Sequence, residues 1–155
     1  LVIIKSMSKD FGIAGIRAGY AVMSPERVQK LLKNGYLWNI SGLAEYFFQL
    51  YVREDFLEKY EKLRIQYIKE TQAFHQSLSN IPNLTVYPSM ANFLLIELLN
   101  ISSDDFMIKS LVSHGIYVRT CGDKIGLEGE FIRLASRKKS ENQTIIERIN
   151  NIINE

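Results

Sequence analysis

The hydrophobic and polar positions change their period several times along this chain of 155 residues. Residues 1–5 form a short apolar run of the kind found in buried strands of parallel sheets. A loop with one helical turn follows, and residues 17–23 then continue as a second strand. From Ser24 onward, apolar residues recur every three or four positions, which predicts a helix to about Gly35 and further helices over residues 41–52 and 55–78.

The second half of the chain mixes short strands with helices. Strands are predicted at residues 84–87, 93–98, 116–120 and 131–136. Ser102 or Ser103 is a suitable N-cap for a helix that ends at Gly115. In the last helix, Ser140 and Gln143 have the spacing of a capping box, and isoleucines form its apolar face. This order predicts an α/β protein with a compact unit from about residue 81 onward.

The composition excludes several classes of function. Hydrophobic residues make up 46% of the chain and charged residues 23%, as in ordinary globular proteins. A net charge of +2 does not favour nucleic acid or a membrane surface as a partner, and no apolar run is long enough to span a bilayer. Cys121 is the only cysteine, so no internal disulfide forms, and a cytoplasmic location is the simplest interpretation. No metal-site signature is present.

The richest chemistry lies in residues 6–20, which read S-M-S-K-D-F-G-I-A-G-I-R-A-G-Y. Lysine is the side chain that forms Schiff bases with carbonyl groups. Hydroxyls and a guanidinium bind phosphate through charge-assisted hydrogen bonds. Glycines allow close backbone approach. Chemistry alone therefore indicates a phosphate-binding loop that carries a reactive amine, and the alternative is a surface turn with a solvated lysine and arginine.

This segment closely resembles the lysine signature of the class I/II aminotransferases, the fold-type I pyridoxal phosphate (PLP) enzymes. The family pattern is roughly S-x-S-K-x-x-G-L-A-G-x-R-x-G-Y, and the resemblance is greatest to the branch of histidinol-phosphate aminotransferase and threonine-phosphate decarboxylase. The resemblance implies PLP as the cofactor. It also implies that Lys9 holds the cofactor as a Schiff base and that Ser6, Ser8 and Arg17 bind its phosphate.

The same resemblance implies the domain organisation. The chain resembles the C-terminal piece of the PLP-dependent transferase fold: residues 1–45 as the end of a large sheet domain, residues 46–80 as linking helices, and residues 81–155 as a small α/β domain. The chain opens directly on a strand without methionine, so we expect a part of a longer enzyme that is inactive alone. The family's carboxylate for the pyridinium nitrogen would lie upstream.

Three further residues are candidate substrate ligands. Arg133 lies on an apolar strand and needs an anionic partner; by resemblance it binds the substrate carboxylate, and the alternative is a structural ion pair or a solvated strand end. Arg119 resembles a second family arginine, which in the phosphate-substrate branch binds the distal phosphate, or it is a solvated edge-strand residue. Asn92 resembles a family asparagine near the active site, or it serves turn chemistry.

The resemblance implies an aminotransferase that moves an amino group between an amino acid or amino phosphate and a 2-oxo acid, and that works as a homodimer at full length. Two alternatives stay open. One is a PLP-dependent decarboxylase of a phosphorylated amino acid, of the threonine-phosphate type. The other is a non-catalytic sensor domain, because some transcription regulators carry an aminotransferase-like domain behind a winged helix.

Overall fold

The computed structural model describes residues 1–10, 12–35 and 40–155, so Phe11 of the lysine motif lies outside the description. The chain divides into two compact units, Leu1–Lys62 and Leu63–Glu155. None of the helices in the described ranges has an apolar stretch long enough to cross a membrane. The domain boundaries expected near residues 45 and 80 stay a prediction.

The first unit is built around a two-stranded antiparallel ribbon. Strand β1 (Ile3–Ser6) pairs with β2 (Gly19–Val22), and the short helix α1 (Met7–Asp10) and a 3₁₀ turn (Ala14–Ile16) lie between them. Helices α2 (Pro25–Asn34) and α3 (Gly42–Tyr51) follow, and α4 (Glu54–Ser79) begins in this unit. Helix α3 is capped by the Ser41 hydroxyl, which accepts a hydrogen bond from the Ala44 N–H at 3.2 Å.

A strand is present at Ile3–Ser6, within and just beyond the expected residues 1–5, and its place inside a parallel sheet stays a prediction. Strand β1 pairs antiparallel with its own chain neighbour β2, and its apolar side chains are exposed: Ile4 keeps 81% of its accessible surface. An apolar run tells only that a strand suits burial. It does not say which partner strand lies beside it, and the loop of residues 7–18 is short enough for the chain to fold back directly.

The second unit is a four-stranded antiparallel sheet with helices on one face. Its strand order is β3-β4-β6-β5. The strands are β3 (Leu84–Tyr87), β4 (Phe93–Leu98), β5 (Arg119–Thr120) and β6 (Phe131–Ala135), and the helices after α4 are α5 (Ser103–His114) and α6 (Lys139–Asn154). Alternation along β4 buries Leu94, Ile96 and Leu98. These side chains join residues of α4, α5 and α6 in the core, so the other face of the sheet carries the remaining positions.

Two boundaries in this unit differ from the sequence-based expectation. The strand expected over 116–120 is paired only at Arg119 and Thr120. The last helix starts at Lys139 rather than after Ser140, and the Glu141 carboxylate accepts a hydrogen bond from the Lys138 N–H at 3.2 Å. Glu141 thus takes the capping-box position that the sequence assigned to Gln143.

Helix α5 offers a matched test of the core. Phe106 is fully buried, whereas Val112 on the same helix keeps 78% of its surface. We expect Phe106→Ala to lower the free energy of unfolding by about 3–5 kcal/mol, because it leaves a cavity. Val112→Ala should change the free energy of unfolding by less than about 0.5 kcal/mol. Urea unfolding of both variants checks this, and equal effects would contradict the described core.

Candidate active site

The lysine motif is closed into a loop by the pairing of β1 with β2. Ser6 lies opposite Gly19 in the register. A Cβ atom at Gly19 would come within 2.6 Å of the Lys5 carbonyl oxygen, so only glycine allows this approach of the two strands. The Met7 N–H donates to the Ala18 carbonyl at 3.1 Å, and the Met7 side chain is fully buried. Both ends of the loop are therefore held together at its base.

The two serines and the lysine lie at the start of this loop. The Ser8 N–H donates a hydrogen bond to Ser6 Oγ at 3.3 Å, which places the two serines side by side. Lys9 is the third residue of α1, and its side chain is exposed. The ammonium group and the serine hydroxyls are thus presented within four consecutive residues.

Arg17 lies at the end of the same loop. Its backbone is left-handed, with φ of 54°, and its N–H donates to the Ala14 carbonyl at 3.3 Å. The guanidinium Nη1 donates to the same carbonyl at 2.8 Å. Arg17 forms no ion pair with a carboxylate among the residues described. Arg17 directly precedes Ala18, whose carbonyl accepts the hydrogen bond from the Met7 N–H, so the Arg17 backbone lies next to the base of the loop.

In the second unit, Arg133 lies in the middle of β6 on the face of the sheet opposite the helices. Its Cα is paired with Leu95 on one side and with Arg119 on the other. The guanidinium carbon lies 4.3 Å from the ring centroid of Phe93, a cation–π contact. Within the described part of the chain, Arg133 has no carboxylate partner, so its flat face is supported while its donors are open to an external anion.

Arg119 is opposite Arg133 on the neighbouring strand but has a partner of its own. Its Nη2 lies 3.0 Å from Oδ2 of Asp123, and Lys124 also contacts that carboxylate. The hydrogen bond from Lys124, together with the nearby Arg119 charge, lowers the pKa of Asp123 below its ordinary value. An anionic ligand at Arg119 must therefore compete with the Asp123 carboxylate.

Asn92 lies just before β4, at the strand end reached by the C-terminal end of β6. Its carbonyl accepts a hydrogen bond from the Ser136 N–H at 3.0 Å. The preceding turn is closed by Ser89, whose hydroxyl accepts from the Ala91 N–H at 3.1 Å and donates to the Phe93 carbonyl at 2.7 Å. Asn92 thus has a backbone role at the end of the sheet, and the amide side chain is half-exposed.

Sequence reasoning missed two residues of this surface. Phe93 supports Arg133, and the alternation of β4 and β6 could have placed both on one face once their register was known. Asp123 pairs with Arg119, four residues earlier, across a glycine-containing loop. The sequence predicts no helix there, so the spacing alone did not indicate the pair.

Comparison with known proteins places these features in a family. The sequence model of the class I and II aminotransferases matches residues 1–149. The chain belongs to this family. Because that model matches nearly the whole chain, the resemblance read from the lysine motif is confirmed.

Three similar proteins show which members of the family this chain resembles. An L-serine phosphate decarboxylase of Campylobacter jejuni is 60% identical over 99% of this chain and 40% of its own length. A histidinol-phosphate aminotransferase of Methanococcus aeolicus is 32% identical over 99% of this chain and 41% of its own. The solved structure of a decarboxylase from Sulfurospirillum multivorans has a TM-score of 0.91 and 51% identity, and it covers 98% of this chain and 43% of that one.

These relatives confirm the expected α/β fold and show that the chain spans about two fifths of their length. The matched part of the Sulfurospirillum structure includes both units of this chain. The roles expected of individual site residues stay predictions.

Proposed function

We propose that the complete protein carrying this chain is a PLP-dependent decarboxylase of an O-phosphorylated amino acid, of the L-serine phosphate class. The observation that carries the proposal is the 60% identity to the Campylobacter decarboxylase over nearly the whole chain. From the sequence alone, the resemblance favours an aminotransferase, with a decarboxylase of a phosphorylated amino acid as an alternative. The relatives favour the decarboxylase, because histidinol-phosphate aminotransferases such as that of Methanococcus aeolicus are much less similar, at 32% identity.

The residues of the lysine loop fit the cofactor. PLP, which the sequence led us to expect, is the cofactor of this family. Its phosphate needs hydroxyl donors and a cation, and its aldehyde needs an amine. Ser6 and Ser8 are joined by a hydrogen bond, Arg17 has no carboxylate partner among the described residues, and Lys9 is exposed between them. The donor set therefore has the right composition and lies on one closed loop.

Each residue of the loop then has a distinct task. When bound, PLP supplies the electron sink that makes cleavage at the substrate α-carbon possible. Ser6, Ser8 and Arg17 hold the phosphate by charge-assisted hydrogen bonds. Lys9 would hold the cofactor through its side-chain amine. In its protonated form, the Lys9 ammonium would act as the general acid and deliver to the substrate α-carbon the proton that replaces the departing carboxyl group.

The arginine pair of the second unit suits a substrate with two anions. Cross-strand neighbours lie about 4.5–5.5 Å apart at their Cα atoms, so the guanidinium groups of Arg119 and Arg133 can bind two anions of one small molecule. We assign Arg133 to the carboxylate, because its guanidinium is open and supported by Phe93. We assign Arg119 to the phosphate, whose greater charge competes better with Asp123.

Product analysis tests the function. We expect the complete protein, loaded with PLP, to convert O-phospho-L-serine to carbon dioxide and O-phosphoethanolamine in equal amounts, without a 2-oxo acid acceptor. Carbon dioxide capture and amine chromatography measure the two products. Formation of a keto product that requires a 2-oxo acid, with no carbon dioxide, would instead support the aminotransferase function of the Methanococcus relative.

A further inference from the structure

A side-chain network fixes the end of the short helix that carries Lys9. The Asp10 carboxylate lies 2.6 Å from the Lys5 ammonium through Oδ2. Its Oδ1 accepts a hydrogen bond from the Tyr60 hydroxyl at 2.8 Å, and the Asp10 carbonyl lies 3.1 Å from the same hydroxyl. The Tyr60 proton is thus shared between two oxygens of one residue, and contacts from β1 and from α4 meet at Asp10.

This network compensates for the weakness of α1 as a helix. With only the four residues Met7–Asp10, α1 is far too short to be stable by its own hydrogen bonds. Its first residue is held by burial of Met7 and by the bond to Ala18. Its last residue is held by Lys5 and Tyr60. Lys9 lies between these two anchors, and its backbone position depends on both.

We propose that Asp10 and Tyr60 are positioning residues for Lys9: their contact holds the lysine at the place where covalent attachment of PLP is favourable. This inference rests on the proposed function, because it presumes that Lys9 is the attachment site. A group held in the right geometry reacts as if it were present at very high concentration, and a displacement of about 1 Å can cost about 100-fold. Neither residue needs to touch the cofactor itself.

The two partners of Asp10 differ in what they contribute. Lys5 lies on the strand that directly precedes α1, so its ion pair with Asp10 links the two ends of residues 6–9. Tyr60 lies 50 residues along the chain from Asp10, and its hydrogen bond joins the end of α1 to α4. The hydrogen bond to Asp10 raises the pKa of Lys5 above its ordinary value, which favours the charged ammonium beside Asp10. The Tyr60 hydroxyl donates to the carboxyl group that also contacts the Lys5 ammonium, and a charged acceptor strengthens such a hydrogen bond.

The test measures covalent attachment of PLP to Lys9 in the complete protein, by visible absorbance and by reductive trapping followed by peptide mass spectrometry. We expect Tyr60→Phe and Asp10→Ala each to weaken attachment on the order of 10-fold, since each removes a hydrogen bond to a charged group. The double variant should weaken attachment no more than Asp10→Ala alone, because both act through one contact. Asp10→Asn should weaken PLP attachment less than Asp10→Ala does, because the amide oxygen of the asparagine still accepts a hydrogen bond from Tyr60.

Tyr67 is the matched control. It lies on the same helix, and its hydroxyl donates to the Ser136 carbonyl at 2.9 Å within the second unit. Tyr67→Phe should leave PLP attachment unchanged, although its thermal midpoint can fall. If Tyr60→Phe lowers only the thermal midpoint and leaves attachment at the wild-type value, the positioning role is overturned. If the wild-type protein itself attaches no PLP at Lys9, the proposed function fails instead, so the two failures are distinct.

Discussion

Replacing Lys9 with alanine in the complete protein is expected to abolish covalent attachment of PLP and to lower the decarboxylation rate by roughly 100- to 10,000-fold or more. The range of about 100- to 10,000-fold is the usual contribution of one general acid or base, and Lys9 also provides the covalent link to the cofactor, which can add to the loss. Lys9→Arg keeps the positive charge but has no nucleophilic amine, and it should fail in the same way. Loss of the visible absorbance of attached PLP and the single-turnover rate of carbon dioxide release measure the two effects.

Lys62 provides the control for this substitution. It is an exposed lysine whose ammonium pairs with Glu58 at 2.7 Å, four residues earlier on α4. Such surface pairs contribute little to stability. Lys62→Ala should therefore retain PLP attachment and activity. Full covalent attachment in Lys9→Ala would show that another amine carries the cofactor, and the assignment of the loop would then be wrong.

The lysine loop shows why a local motif could be read from the sequence. Ser6, Ser8, Lys9 and Arg17 lie within one segment, and the glycine opposite Ser6 is needed for close strand approach. Local geometry of this kind depends on chain neighbours, which a pattern of spacings captures. The same holds for α5, for which the sequence predicts a cap at Ser102 or Ser103 and an end at Gly115; the structure has the cap at Ser102 and a left-handed Gly115.

Contacts between distant segments could not be read in this way. Nothing in the sequence pairs Asp10 with Tyr60, and the register that puts Arg119 opposite Arg133 depends on how β5 and β6 meet across a glycine-rich loop. The antiparallel partner of β1 was missed for the same reason, because an apolar strand suits several neighbours equally. Decarboxylation against transamination is a finer question still, since both chemistries use the same donor types around the cofactor.

Substitution of Arg133 or Arg119 is expected to have the second large effect, a loss of substrate affinity. Two ligands distinguish the roles of these two arginines. O-phospho-L-serine carries a carboxylate and a phosphate, whereas O-phosphoethanolamine carries the phosphate but no carboxylate. If Arg133 binds the carboxylate, Arg133→Ala should raise the KM for O-phospho-L-serine about 10- to 100-fold, the range for a lost charge-assisted hydrogen bond. It should leave the inhibition constant of O-phosphoethanolamine nearly unchanged. Steady-state kinetics with both compounds measures these values.

Arg119→Ala should act differently, because both ligands carry the phosphate. We expect it to weaken O-phospho-L-serine and O-phosphoethanolamine by the same factor, and by less than Arg133→Ala weakens the substrate, since binding at Arg119 first displaces Asp123. Arg148, exposed on α6, is the control, and Arg148→Ala should leave both constants unchanged. If Arg133→Ala weakens both ligands equally while Arg119→Ala weakens neither, the two arginines do not divide the anions as assigned. The open face of the sheet would then bind the phosphate through Arg133 alone.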